Sequence, residues 1–384
     1  MYSVAINMLF GDRGKFIGMV IGITFASLIM TQQPSILVGL LTRTYAFIQD
    51  LSTPDIWVMD PGVEYIEENK PMRETELERV RGVEGVDWAA PLYKSMIPAK
   101  LPDGTTKIIG INGVDDATLI GIPNKFTDGN RESLRQSDGI VIDVEAANNR
   151  LKVKNPDGTM RPLKVGDELE MNDKRAIVVG LVKVSRNFVV VPQAYTTFSR
   201  AKEFSPSTRR NLSYVLVKIK NGMDVQVIAD KISKQTDLLA LTSQQFKDKT
   251  LNYWMKNTGI PINFGISVTL GFLVGAAIAG QTFFSFVRET SKQYAALKAM
   301  GLRTWVLVRM VLMQALIVGF IGYGIGVGLT TLFGYKMRDS VLAFRMTPEV
   351  LIFSFSGVLL IVLLSAMFAI RQVIKVDPAT VFRS

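Results

Sequence analysis

Four long apolar runs set the first limit on what this chain can become. From Phe16 to Leu41, from Ile260 to Val287 and from Val350 to Ile370 there is no charged residue, and from Trp305 to Tyr335 only Arg309 interrupts. Each run reaches the roughly 20 residues that a helix needs to cross a hydrocarbon core, where only internally satisfied backbones survive. The reading is therefore four membrane spans, three of them crowded into the last third. The first run begins where a secretory signal or a single anchor would. Its length, Gly18 and Gly22 within it, and the want of a small-residue cleavage site after "LVGLLTRTY" favour a retained span.

The 384 residues include no cysteine and no histidine. That excludes disulfides, thiol nucleophiles and histidine bases, and with them the commonest transition-metal ligands. No constellation points to an acidic or lysine-based hydrolase, so no catalytic, metal or cofactor residue is assigned. The formal net charge is +10. No basic stripe interleaved with aromatics accompanies it, so nucleic acid is not an expected partner; positive charge flanking the spans accounts for it. Arg13 and Lys15 stand before the first span, Arg288, Lys292, Lys298 and Arg303 after the second, and Arg371, Lys375 and Arg383 (against Asp377) after the fourth. The loop between the third and fourth spans has a smaller excess, with Lys336, Arg338 and Arg345 against Asp339 and Glu349. This places both termini in the cytoplasm and residues 42–259 outside.

The outside section alternates short β-like runs with turns. "DIWVMD" (Asp55 to Asp60), "TTKIIGING" (Thr105 to Gly113), "GIVID" (Gly139 to Asp143), "RAIVVGLVKV" (Arg175 to Val184) and "SYVLVKIK" (Ser213 to Lys220) read as strands. Helical patterns start at Arg73 ("RETELERVRGV") and at Asp224 ("DVQVIADKISKQ"), and "PDG", "NPDG" and "VGDE" punctuate. The carboxylate pairs Asp115/Asp116 and Glu67/Glu68 read as solvated turns, since neither has the ligand spacing of a calcium loop. Pro61 and Gly62 read as a turn after a strand. The expected fold is an α-helical membrane protein with four transmembrane helices and a large α+β extracytoplasmic domain inserted between the first and second spans. Its parts are 1–41 (N-terminal elbow helix and first span), 42–259 (extracytoplasmic domain) and 260–384 (three spans and a cytoplasmic helix).

Glycines recur at helical-turn spacing: Gly18 and Gly22, Gly271 and Gly275, Gly324 and Gly328, with Gly322 and Gly326 alongside the last pair. Two positions without side chains one turn apart permit close helix approach, in a compact bundle or at a dimer seam. Inside the spans Gln281, Gln314 and Arg309 are the main polar groups, and Arg309 is near enough to an end to snorkel. Without a buried acid a proton-coupled secondary transporter is disfavoured.

Between the second and third runs stands a polar island, "RETSKQYAALKAMGLRT" (Arg288 to Thr304). Most of Glu289 to Met300 are good helix formers, and Gly301 is suited to end the helix. Tyr294, Leu297 and Met300 or Gly301 share a face, with Lys292 and Lys298 away from its centre. Two readings stay open on these grounds: an interfacial helix easing the chain between spans, or a docking element for a cytoplasmic partner.

The stretch Val287 to Gly326 resembles the permease domain of the FtsX and MacB superfamily of ABC transporters. Arg288, Glu289, Lys292, Leu297, Lys298, Ala299 and Gly301 match its pattern or conservatively match it, while Gln293 stands where many members have Glu. The tail "RQVIKVDPATVF" (Arg371 to Phe382) and the helical start before Phe16 are similar to the family's tail and elbow helix. "DIWVMDPG" and "LKAMG" are nearest to the DevC-type permeases of envelope-spanning exporters. The resemblance implies a non-catalytic permease subunit in a bacterial inner membrane, acting as a homodimer. ATP and Mg would be handled by a separate ABC ATPase that docks on Arg288, Glu289, Lys292, Gln293, Tyr294, Leu297, Lys298 and Gly301; the chain itself has no GxxxxGK[ST] loop. It further implies a periplasmic adaptor of the membrane fusion protein type, a TolC-like outer-membrane channel and a lipid or glycolipid cargo. The rival implied within the superfamily is an FtsX-like regulator of cell-wall hydrolases, or an exporter of lipoproteins, drugs or peptides; a membrane-anchored sensor would need no ATPase.

Overall fold

The computed structural model describes residues 2–206, 211–337, 340 and 342–375. Arg338, Asp339, Asp377 and Arg383, used above for orientation, and the end of the family-like tail lie outside them. The chain divides into two compact units, one made of residues 1–40 with 258–384 and the other of 41–257.

In chain order, the short helix α1 (Tyr2–Gly11) precedes the first long helix α2 (Arg13–Thr44) and the short α3 (Ala46–Asp50). The middle of the chain then runs β1 (Ile56–Met59), α4 (Thr75–Arg81), β2 (Val86–Lys100), β3 (Thr106–Val114), β4 (Phe126–Asp128), β5 (Gly139–Asp143), α5 (Val144–Asn148), β6 (Val153–Lys154) and β7 (Met160–Arg161). It continues with β8 (Glu168–Met171), β9 (Lys174–Val182), β10 (Gln193–Thr197), α6 (Phe198–Phe204), β11 (Tyr214–Ile219), α7 (Val225–Thr236), β12 (Leu239–Thr242) and α8 (Ser243–Asn257). Last come α9 (Ile260–Glu289), α10 (Ser291–Ala299), α11 (Thr304–Lys336) and α12 (Pro348–Ile374). Four of these helices, α2, α9, α11 and α12, are long and apolar enough to cross a membrane. The mixed α+β part is inserted between the first and the other three.

In the second unit ten strands form one mixed sheet, in the order β12-β1-β11-β2-β3-β10-β5-β9-β4 with β8 bridging β2 and β9. β10 runs parallel to β3 and β5 parallel to β9, the remaining pairs being antiparallel. Alternation of side chains splits its apolar residues between two cores. One holds Tyr93, Ile97, Ile109, Ile111 and Ala194; the other is built round Trp57, Tyr195, Tyr214 and Phe246. All five expected strands are present with ends within two residues, and the two helical patterns became α4 and α7. α7 is fixed at both ends. The Asp224 carboxylate accepts from the backbone N–H of Gln226 (2.7 Å) and Val227 (3.2 Å), and Asp237 closes it in the left-handed region.

Asp115 and Asp116 are turn residues, as expected: Asp115 accepts from the Thr118 N–H (2.8 Å) and hydroxyl (2.7 Å). Glu67 corrects the reading given to its pair. Its carboxylate is nine-tenths buried and lies 2.8 Å from the equally buried ammonium of Lys94, because β2 carries that lysine inward. No group of three or more acidic residues that could hold a metal exists among the described residues.

In the first unit the glycines explain how the long helices approach. Cβ atoms built at Gly18 and Gly22 of α2 would press on Thr282 (3.3 Å) and Ile278 (2.7 Å) of α9, and ones built at Gly275 and Gly271 of α9 would overlap Ala26 and Ile29 of α2. Ascending numbers on one helix meet descending numbers on the other, so the seam is antiparallel and glycine serves it from both sides. On α11 the packing glycines are Gly322 and Gly326, against Ile23 and Ser27 of α2. Gly324 and Gly328, assigned above to packing, meet nothing within 4 Å in this chain. They point away from α2, and the overlapping pair two residues earlier takes the role. The Ser27 hydroxyl donates to the Tyr323 carbonyl (3.1 Å) across the same contact.

Candidate functional site: a helix between two spans

The polar island folds as α10, set off from α9 by Thr290, whose hydroxyl donates back to the Phe286 carbonyl (2.8 Å). Its other end is a Schellman closure. The N–H of Leu302 reaches the Leu297 carbonyl (3.2 Å) and that of Gly301 the Lys298 carbonyl (3.1 Å), with Gly301 at φ +90°. A side chain there would be strained, which is why glycine ends the helix. Leu297 and Leu302, the residues this closure brings together, both pack on the core of the unit.

Tyr294 and Ala295 are wholly buried. The Tyr294 hydroxyl donates to Gln314 Oε1 (2.9 Å) on α11, and Gln314 Nε2 donates to the Ala5 carbonyl (2.8 Å) on α1. Gln314 is itself fully buried, so one amide ties three helices together with both of its ends in use. Burial pushes the Tyr294 phenol up, against the pull of its bonds to Gln314 and Thr290, so it stays a neutral donor. A second tie joins the start of α2 to the end of α9: the Lys15 ammonium pairs with Glu289 and with Asp12 (3.0 Å). Asp12 also caps α2, accepting from the Lys15 N–H (3.1 Å), and these bonds from Lys15 hold its carboxyl below the usual carboxylate range.

The residues named in advance therefore separate into two groups. Tyr294 and Leu297 pack inside the chain and the exposed Glu289 is paired with Lys15, so of the apolar edge only its end at Met300 is open to a partner. Lys298 is half-buried, with its ammonium 3.4 Å from the Ile374 carbonyl at the end of α12. Lys292, Gln293, Ala299 and Met300 form the exposed face, and Arg288 and Gly301 are exposed beside it. Met300 is 70 % exposed and Trp305, just beyond, 60 %. Gln314, Ala5 and Lys15 were not foreseen as parts of this site. The available signal was Gln314 itself, an amide in mid-helix that a hydrocarbon or protein interior obliges to find partners.

The family model described as MacB-like periplasmic core domain matches residues 16–235, more than half of the chain. The model described as FtsX-like permease C-terminal matches residues 265–378, which contain α10. An uncharacterized ABC transporter permease of Methanocaldococcus jannaschii is 25 % identical over 242 residues, covering 58 % of this chain and 58 % of the relative. The chain thus matches less than two thirds of that relative's length. Among solved structures, the extracellular domain of the ABC-type transporter YknZ from Gram-positive bacteria aligns at 14 % identity and TM-score 0.35, over 49 % of this chain and 98 % of that one. The periplasmic region of MacB from Actinobacillus actinomycetemcomitans aligns at 12 % identity and TM-score 0.38, over 52 % of this chain and 94 % of the other.

Proposed function

This chain belongs to the ABC-transporter permeases that join a MacB-like periplasmic core to an FtsX-like permease region, and from that premise we propose that α10 is where a separate cytoplasmic ATPase docks. The observation that carries the reading is the division of α10 into two faces. One is locked to α1 and α11 through Tyr294 and Gln314; the other presents Lys292, Gln293 and Met300. A docking element must be stiffly tied to what it moves and open to what moves it, and α10 meets both demands.

In this reading ATP-driven closure of two ATPase subunits shifts α10. The Tyr294–Gln314–Ala5 bonds and the Lys15–Glu289 pair pass the displacement to α1, α11, α2 and α9. The α2/α9 seam, close-packed on glycine, moves as a unit because packed interiors transmit strain. Two permease copies, a periplasmic adaptor and a TolC-like outer-membrane channel complete the proposed exporter, with a lipid or glycolipid as cargo in keeping with the DevC-like segments. The membrane is the bacterial inner membrane, with both termini cytoplasmic. Gln293 on the open face means that contact there is by hydrogen bond, not by a carboxylate.

The test is co-purification. Lys292→Glu with Met300→Glu should remove the ATPase from the detergent-extracted complex while the permease still inserts and keeps its unfolding temperature. An ATPase retained at wild-type stoichiometry in that variant contradicts the reading.

A further inference from the structure

On one face of the sheet in the second unit, β2, β3 and β10 lay two rows of residues side by side. Register aligns Lys94, Asn112 and Tyr195 in one row and Met96, Gly110 and Gln193 in the next. Side chains two apart on a strand share a face, so both rows look the same way. Glycine at the centre of the second row leaves a gap, and there a cavity of about 310 Å3 opens, lined by Glu67, Asn69, Lys94, Met96, Gly110 and Gln193. A Cβ at Gly110 would stand 2.7 Å from Gln193 Nε2.

The lining mixes apolar surface from Pro71 and Met96 with polar groups that are held in place. Lys94 and Glu67 form the buried ion pair already described, and the ammonium also lies 4.5 Å from the centre of the Phe47 ring. Asn69 Nδ2 donates to the Lys94 carbonyl (2.5 Å), and Gln193 Nε2 to the Val191 carbonyl (2.9 Å). Behind them Asn112 Nδ2 donates to Gln193 Oε1 (2.9 Å) and to the Ala194 carbonyl (3.2 Å), while its fully buried Oδ1 has no partner among the described residues. The site therefore offers one cation, one anion, amides, and an unfilled acceptor one bond away.

We propose that this cavity binds a small peptide-type zwitterion of about dipeptide size, its carboxylate on Lys94, its ammonium on Glu67 and its amide against Gln193 and Asn69. The charges of the lining cancel. A phosphate or a polyamine would bring a net charge that the lining, neutral in sum, does not compensate beside the buried Lys94–Glu67 pair. A purely apolar guest would leave the Lys94–Glu67 pair and the Gln193 bonds as they are and gain no polar contact from them. A zwitterion exchanges one charge-assisted pair for two, and the volume is at the small end of the roughly 300–1,000 Å3 range of ligand pockets. The proposal concerns binding alone and does not depend on α10 docking an ATPase.

Titration calorimetry of the full-length protein in detergent with alanyl-alanine tests it, with N-acetylalanine methylamide and glucose as uncharged probes. Saturable binding of alanyl-alanine is expected, weakened at least about tenfold by Gly110→Ala, which fills the gap at the cost of moving only the end of the Gln193 side chain. Met96→Trp narrows the cavity from another wall and should do the same. No saturable heat with alanyl-alanine, equal binding of an uncharged probe, or full affinity retained in both variants overturns the proposal.

Discussion

Gln314 joins three helices of the first unit through one side chain, since both ends of its buried amide are committed. Gln314→Leu should remove the bond from the Tyr294 hydroxyl and the side-chain bond to the Ala5 carbonyl, leaving Thr290 and the α1 backbone as their remaining partners, and cost on the order of 1 kcal/mol per lost bond, read as a lower unfolding temperature in detergent. Tyr294→Phe removes one bond from the same chain and should cost less. Asp143 makes a pH prediction in the second unit. Burial pushes its carboxyl up to about 6 from an ordinary 3.8, even though it caps α5 by accepting from Glu145 N–H (3.1 Å) and Ala146 N–H (3.3 Å). The folded state keeps a proton that the unfolded chain releases, so stability from this group is full below pH 3.8 and is lost as pH rises through about 6. The difference is on the order of 3 kcal/mol. Asp143→Asn should flatten that part of the stability profile, measured as unfolding temperature between pH 4 and 7; an unchanged slope would contradict it. Residues of this kind were the least legible in the sequence. Glu67 and Glu68 look alike in a polar stretch, and only the burial of Lys94 by a distant strand makes Glu67 an interior partner.

Elements were more legible, for physical reasons that differ between them. β5 and β11 are short runs of β-branched and apolar residues, and their local pattern and their burial agree. β2 gave no such signal, because Pro91 and Pro98 and the inward Lys94 break its pattern. The prolines are tolerated because β2 changes partners along its length, pairing with β11 up to Leu92 and with β3 from Tyr93. Glycine spacing told that helices approach closely but not which face does so, since Gly322/Gly326 and Gly324/Gly328 share one spacing on one helix. The two pairs should respond differently. Gly22→Leu or Gly326→Leu forces a side chain into α9 or α2 and should destabilise by roughly 1–3 kcal/mol. Gly324→Leu and Gly328→Leu should leave the unfolding temperature of the single chain unchanged. Loss of self-association in those two alone would locate a contact between copies there.

For the whole molecule, four apolar runs and a mixed section between the first two were enough to read the architecture, because hydrocarbon admits so few backbones. What hydropathy could not convey is how the island between α9 and α11 divides its residues between the interior and the open face. That division is set by tertiary burial of Tyr294 and Leu297, and it decides which substitutions should disturb docking. Since the chain has no cysteine of its own, single cysteines report topology cleanly. Lys292→Cys and Asp103→Cys should be labelled by an impermeant thiol reagent from opposite sides of the membrane; labelling from the same side would contradict the orientation. The central claim, that the exposed face of α10 receives the ATPase, is tested most directly by photocrosslinking in intact cells from a photoreactive amino acid placed in turn along α10. The account predicts adducts to a cytoplasmic ATPase from positions 292, 293 and 300 and none from 294 and 295. Adducts from the buried positions with none from the exposed ones, or no ATPase adduct at any of the five, would contradict it.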